Sequence, residues 1–147
     1  MSTAIAHDLR VGTQGLSVNG PIEIYGGTPT IDGEITSTAA GQSVLISGAS
    51  GIVVGANIST TDGTLSLNGA TTADGSVVLA SGSGDLDVTG KLAGGTSPTN
   101  KVTINSTGTA TIVGAENLSE FVFKFSSSLF FKVSNEPLSS FLFDTYL

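Results

Sequence analysis

The chain of 147 residues is long enough for one domain, and its composition excludes several classes of protein. It contains no cysteine, so it has no disulfide framework, thiolate zinc site, iron–sulfur cluster or thiol nucleophile. Five Lys and Arg residues stand against 12 Asp and Glu, and the net charge of −7 argues against electrostatic capture of nucleic acid or an anionic membrane. A mean hydropathy of +0.30 with only 12% charged residues excludes ordinary disorder.

Residues 1–11 form a short N-terminal lead-in, without the cationic start and apolar run of a secretory signal. No run of about 18 apolar residues occurs in the chain, so we expect neither a membrane-spanning helix nor membrane insertion. The single histidine, His7, lies in this lead-in. We expect it to be an exposed terminal residue, because one imidazole supplies little toward a metal site or a Ser-His-Asp triad.

Residues 12–114 carry a repeated apolar–x–apolar unit, which is typical of short β-strands. Turn-forming residues separate the units, and we interpret dipeptides such as Asp62-Gly63 as turn formers rather than metal ligands. The units include Leu16-Ser-Val18, Ile22-Glu-Ile24, Val44-Leu-Ile46, Leu65-Ser-Leu67, Val77-Val-Leu79, Leu86-Asp-Val88 and Val102-Thr-Ile104.

One row of these units recurs at a nearly constant interval. The spacing is 22 residues from Ile22 to Val44, 21 from Val44 to Leu65, and 21 from Leu65 to Leu86. A period of about 20–25 residues with two or three strands is typical of one coil of a β-solenoid. Each strand then lies parallel to its equivalent one coil away, at about 4.8 Å. The sequence therefore predicts an all-β fold, a parallel β-helix of about five coils.

A second, looser row is predicted from intervals of 21, 25 and 25 residues, and it comprises Ile31, Ile52, Val77 and Val102. Ile35 and Ile58 begin a third row, which fades afterwards. The alternative fold is an antiparallel sandwich of short strands, because turn signals every 8–12 residues are compatible with it. A sandwich predicts no fixed long period, so the regular spacing favours the solenoid.

Two stretches of the body resemble the repeats of filamentous-haemagglutinin-type adhesins. They are GASGIVVGANISTTDGTLSLNG at residues 48–69 and GSVVLASGSGDLDVTG at residues 75–90, and the similarity covers residues 12–114. Members of this family are large bacterial exoproteins, secreted by the two-partner or autotransporter routes, that form right-handed parallel β-helices. The resemblance implies a right-handed helix in an extended, surface-displayed adhesin or stalk. It also implies an extracellular or cell-surface location, although this chain shows no export signal.

The best candidates for chemistry in the body are Asp85 and Asp87. They flank Leu86, so on a strand both carboxylates point outward. Paired outward carboxylates suit weak Ca²⁺ binding or acid–base chemistry on sugars. The equivalent positions on preceding coils carry serine, threonine and leucine, so no catalytic cluster accumulates there. A solvated strand face is the simpler interpretation, and we expect no cofactor.

The composition changes near residues 114–120. All 20 glycines lie between Gly12 and Gly114, and all seven phenylalanines lie between Phe121 and Phe143, so residues 115–147 are treated as a separate tail. We predict an aromatic C-terminal β cap, a hairpin that covers the last coil. Two alternatives stay open, an interface between two copies and a segment foreign to the repeat. The aromatic residues assigned to the cap or interface are Phe121, Phe123, Phe125, Phe130 and Phe131.

These patterns favour a non-catalytic structural or adhesive segment of a bacterial cell-surface or secreted repeat protein. Its strand faces would display Ser, Thr, Asn and Asp for many weak contacts with a host or neighbouring surface glycan or protein. The alternative function is that of a carbohydrate-active β-helix enzyme or a Ca²⁺-dependent glycan binder centred on Asp85 and Asp87.

Overall fold

A computed structural model describes residues 9–96, 100–125, 128–131 and 141–145; from Phe125 onward only the backbone is described. Within these ranges there is no helix, and hence none long and apolar enough to cross a membrane. The 17 strands, numbered in chain order, are β1 (Arg10–Val11), β2 (Leu16–Val18), β3 (Ile22–Gly26), β4 (Thr30–Ile31), β5 (Ile35–Ala40), β6 (Val44–Gly48), β7 (Ile52–Val54), β8 (Ile58–Thr61), β9 (Leu65–Asn68), β10 (Thr71–Ala73), β11 (Ser76–Gly82), β12 (Leu86–Gly94), β13 (Lys101–Ser106), β14 (Thr109–Glu116), β15 (Glu120–Phe125), β16 (Ser128–Phe131) and β17 (Phe141–Thr145).

Each coil contributes strands to three stacked rows. The first row contains β3, β6, β9, the N-terminal parts of β12 and β14, and β16. The second contains β1, β4, β7, β10 and the C-terminal parts of β12 and β14, and these two long strands join both rows into one sheet. The third row is a separate sheet of seven strands, β2, β5, β8, β11, β13, β15 and β17.

All strand pairs in the described part of the chain are parallel, and each joins one coil to the next. This pairing confirms the predicted β-solenoid of about five coils. It also excludes the antiparallel sandwich, in which neighbouring strands would run in opposite directions.

The first row has the register that the sequence predicts. Ile22 pairs with Val44, Val44 with Leu65, and Leu65 with Leu86. The companion column of Ile24, Ile46, Leu67 and Val88 follows the same pairing, and all eight side chains are 5% exposed or less. Full burial of each such side chain stabilises the fold by about 1.5–3 kcal/mol before the entropy of ordering is counted.

The predicted second row is wrong, because it combines residues of two different rows. Ile31 pairs with Val54 rather than with Ile52, a shift of two residues that keeps the same side of the strand. Val77 and Val102 do pair with each other, but they lie in the third row. The spacing of large aliphatic residues does not reveal the second row, because the buried residues of its strand β10 are a threonine and an alanine.

The third row continues where the sequence pattern was expected to fade. Ile35 pairs with Ile58 as predicted, and the column then passes through Leu79, Ile104 and Phe123. All five side chains are 1% exposed or less. The interval from Ile58 to Leu79 is 21 residues, but that from Leu79 to Ile104 is 25, so an insertion of four residues obscures the period.

A column of buried hydroxyl groups lies beside this aliphatic column. Its members in the described chain are Ser37, Thr60, Ser81 and Ser106, each 7% exposed or less. Their hydroxyls donate to backbone carbonyl oxygens: Thr60 to Gly63, and both Ser81 and Ser106 to Gly84. Burial of a hydroxyl without a hydrogen-bond partner destabilises the fold, and these bonds remove that cost for the polar column in the core.

Candidate functional site

The outer side of the first row carries two columns of exposed or half-buried side chains, which we call the first-row outer surface. Strand alternation creates it, since every second residue of these strands faces away from the core. One column is Glu23, Leu45, Ser66, Asp87 and Thr111. The other is Tyr25, Ser47, Asn68 and Thr89. In the described part of the chain, the surface is therefore a regular array of mostly short polar groups, interrupted by one leucine and one tyrosine.

Asp85 and Asp87 both lie on the outside of the solenoid at the start of β12, as the sequence predicts. Asp87 sits in register between Ser66 and Thr111. Asp85 precedes the strand, and its Oδ1 accepts a hydrogen bond of 3.0 Å from the backbone N–H of Thr109 on the next coil. One of the two carboxylates is therefore already engaged in joining coils. Calcium binding by this pair stays a prediction.

Side chains at other turns join coils in the same way. Asn57 Oδ1 accepts from the N–H of Val78, and Asp62 Oδ1 accepts from the N–H of Ser83, each at 2.9 Å and 21 residues away. Asp62 has a φ of 59°, a region that aspartate tolerates better than most residues. Asp62 therefore serves as a turn former and an acceptor for the next coil. Among the residues described, no group of three or more His, Asp or Glu side chains could hold a metal ion.

The hydrogen bond at Asp62 predicts a specific pH dependence. The bond from Ser83 stabilises the charged carboxylate and lowers the pKa of Asp62. Because the folded pKa lies below the unfolded one, this contribution to stability is present above the unfolded value and is lost as pH falls through the folded pKa. We expect an Asp62→Asn variant, whose amide oxygen can still accept the bond, to lose less stability on acidification.

Urea unfolding of both proteins between neutral and acidic pH measures this effect. Asp74→Asn is the matched control, because Asp74 also stands in an Asp-Gly turn and carries the same charge. A stability difference between Asp62→Asn and the natural chain that does not change with pH would contradict the prediction.

Ion pairs across neighbouring coils occupy the second and third rows. Arg10 pairs with Asp32 and Lys91 with Glu116 along the second row, and Lys101 lies 3.2 Å from Glu120 in the third. The remaining described cation, Lys124, is also in the third row. The described part of the first-row outer surface thus contains the carboxylates of Glu23 and Asp87 without a cation, and it is an acidic face.

Tyr25 is an exposed aromatic residue of this face that the sequence analysis did not identify. Its side chain is 52% exposed, and its hydroxyl donates a long hydrogen bond of 3.4 Å to Glu23 Oε2. Partial desolvation, followed by the charge and hydrogen bond of Glu23, raises the pKa of Tyr25. The sequence could have indicated this exposure. Tyr25 stands two residues after Glu23 on a strand, and alternation places both side chains on the outer side.

A shallow depression lies on the outer side of the third row, near its N-terminal end. It has a volume of about 270 Å³ and is lined by Gln14, Leu16, Ser17, Glu34 and Thr36. The hydroxyls of Thr36 and Ser59, on neighbouring coils of the third row, lie 3.2 Å apart beside it. The depression is open to solvent and resembles a surface hollow more than an enclosed substrate site.

The aromatic tail continues the rows of the body. Its strands β15 and β17 pair in parallel with β13 and β15, and β16 pairs in parallel with β14, so these strands do not form the expected antiparallel hairpin. Phe121 and Phe123 pair with Val102 and Ile104, and both rings are fully buried, with centroids 4.5 Å apart.

These two rings therefore belong to the core of the chain. Their assignment to the cap or interface stays a prediction. The side chains of Phe125, Phe130 and Phe131 lie outside the described residues, and their assignment stays a prediction. The change in composition at residues 114–120 falls at the corner between β14, which ends at Glu116, and β15, which begins at Glu120, and both strands pair in parallel with the preceding coil.

Comparisons of the chain with protein-family models, with curated proteins and with solved structures find no match. The fold itself defines the class: this is a parallel β-solenoid repeat protein with short polar side chains in register on its outer side.

Proposed function

We propose that the chain is a non-catalytic structural and adhesive segment of a bacterial cell-surface or secreted repeat protein of the filamentous-haemagglutinin type. The observation that supports this most is the first-row outer surface. There, Ser47, Asn68 and Thr89 form one column, and Ser66, Asp87 and Thr111 stand in the other. The array suits contact with a glycan or protein on a host or neighbouring cell.

The mechanism follows from the stacking of the coils. Parallel backbone hydrogen bonds hold successive side chains of a column about 4.8 Å apart, so little entropy is lost when they meet a partner surface. Each exposed polar contact is weak, but contacts on one rigid body act together because the first brings the others into range. A longer stack of the same coils would extend the surface without changing its chemistry.

Attachment of protein-coated beads to surfaces bearing glycans or cell-surface proteins, measured under flow, tests the adhesive role. The double variant Ser66→Arg with Thr89→Arg obstructs the first-row outer surface. Its matched control is Thr30→Arg with Thr72→Arg, which adds the same charge and bulk to the outer side of the second row. We expect attachment to fall about tenfold in the first variant, equivalent to about 1.4 kcal/mol, and to persist in the second.

Two results would contradict the proposal. One is the absence of attachment by the natural protein to any of the surfaces, and the other is an equal loss in both double variants. Calorimetry with Ca²⁺ and oligogalacturonides tests the alternative enzyme or calcium-dependent binder. The proposal expects a flat trace, and a heat signal abolished by Asp87→Ala would overturn it in favour of the alternative.

A further inference from the structure

We infer that the first-row outer surface binds an extended basic peptide segment that runs along the solenoid axis, with its cationic side chains four residues apart. This inference rests on the proposed display function and names the class of partner for that surface. Three features of the described residues lead to it: the charges on the surface, the distance between its two carboxylates, and an exposed aromatic ring beside one of them.

The charge of the surface favours a cationic partner. Glu23 and Asp87 form no ion pair in the described chain, and the described cations all lie on the other two rows. Three of those cations are already paired with carboxylates on a neighbouring coil. Asp85, on the same side, already accepts a hydrogen bond from the N–H of Thr109. Glu23 and Asp87 are therefore the carboxylates that this surface offers to a ligand, and a cation is the complementary charge.

The distance between the carboxylates fits an extended chain. Glu23 and Asp87 occupy one column, separated by Leu45 and Ser66, so three strand-to-strand steps lie between them. Three steps of about 4.8 Å span roughly 14 Å. An extended peptide rises about 3.4 Å per residue, and its side chains i and i+4 project from the same face about 14 Å apart. A strand along the axis with cations at i and i+4 therefore reaches both carboxylates together.

The exposed ring distinguishes the two ends of the surface. Tyr25 lies on the same strand as Glu23, and its hydroxyl is 3.4 Å from Glu23 Oε2, so ring and carboxylate lie side by side. A guanidinium group can stack on such a ring and pair with the carboxylate at the same time. Leu45, one coil away, is half-buried and offers apolar contact to the methylene stem of the same side chain. Arginine is therefore the preferred cation at this end.

Fluorescence anisotropy with labelled ten-residue peptides tests the inference in low salt. The first peptide carries arginine at positions i and i+4 in a threonine and valine background, and the second has the same composition with arginine at i and i+3. The second peptide places its two cations on opposite faces. We expect the first to bind more tightly and its binding to weaken as salt screens the charges.

Substitutions on the protein identify the site. Glu23→Gln and Asp87→Asn should each weaken binding of the first peptide by up to about fivefold, the effect of one exposed ion pair. Tyr25→Ala should weaken it by a similar factor through loss of the cation–π contact. Asp74→Asn is the matched control, since it removes the same charge from the turn after β10 and should leave binding unchanged. Circular dichroism of each variant confirms that the fold is retained.

Several outcomes would overturn the inference. If Asp74→Asn weakens binding as much as Asp87→Asn does, or if both peptides bind equally, the net charge of −7 alone attracts them. If an amino-sugar oligomer binds through Glu23 and Asp87 while the peptides fail, the partner class is wrong. Retained bead attachment without peptide binding would remove this inference and leave the proposed function standing. Loss of attachment by the natural protein would remove the proposed function itself.

Discussion

Replacing Leu65 with aspartate is expected to abolish cooperative folding of the solenoid. Leu65 is 0% exposed and lies in the first row between Val44 and Leu86. Removal of a buried leucine side chain costs about 2–5 kcal/mol, and burial of a carboxyl group without a partner adds several more. The sum is about 5 kcal/mol or more, which is comparable with the whole net stability of a typical domain.

Far-UV circular dichroism and thermal melting of this variant measure the effect. Ser66→Asp is the matched control, because Ser66 is the next residue on β9 and points outward. It introduces the same carboxylate on the same strand, yet leaves it in contact with solvent. We expect Ser66→Asp to melt within a few degrees of the natural chain. If Leu65→Asp melts at the same temperature as Ser66→Asp, the register of the first row is incorrect.

The first row was predictable because its chemistry is uniform. Large aliphatic residues such as Ile22 and Leu65 occur on four successive coils, and the interval between them varies by one residue. A parallel stack places equivalent residues of successive coils over one another, so constant spacing and constant hydrophobicity identify the row together. The alternation that turns Asp87 outward follows from the same strands and was also predictable.

The second and third rows were less predictable because their interior is chemically mixed. The second row buries Thr71, whose hydroxyl donates to the carbonyl of Gly69, and Ala73. The third row buries Ser37 and Ser81, which in the sequence are indistinguishable from turn residues. Their burial depends on carbonyl partners that the folded corner supplies, and no pattern of hydrophobicity reports such partners.

The candidate site was likewise predictable only in part. Positions on regular strands follow from alternation, so Asp87 was placed correctly and Tyr25 could have been. The hydrogen bond from Ser83 to Asp62 could not be predicted, because it joins residues 21 positions apart and requires the φ of 59° at Asp62. The contacts of Asp85 likewise depend on where the turn before β14 places the N–H of Thr109.

Replacing Gly63 with alanine is the second substitution with a large expected effect. Gly63, Gly84 and Gly108 stack at the corner between the third and first rows, each lying against the backbone of the residue before it in the column. A Cβ at Gly63 would overlap the backbone carbonyl of Gln42, and the backbone cannot move aside as a flexible side chain could. Thr60 also donates its buried hydroxyl to the Gly63 carbonyl, so any shift of this corner disturbs the hydroxyl column as well.

We expect Gly63→Ala to destabilise the fold by about 3 kcal/mol, because overpacking against immobile atoms is at the upper end of the usual cost. For a chain of this size, that corresponds to a melting temperature lower by about 6–12 °C. Gly12→Ala is the matched control, since a Cβ at Gly12 meets no atom within 4 Å. It should leave the melting temperature unchanged or slightly raised, because alanine restricts the unfolded chain. Equal melting of the two alanine variants would show that the corner glycines are not in contact.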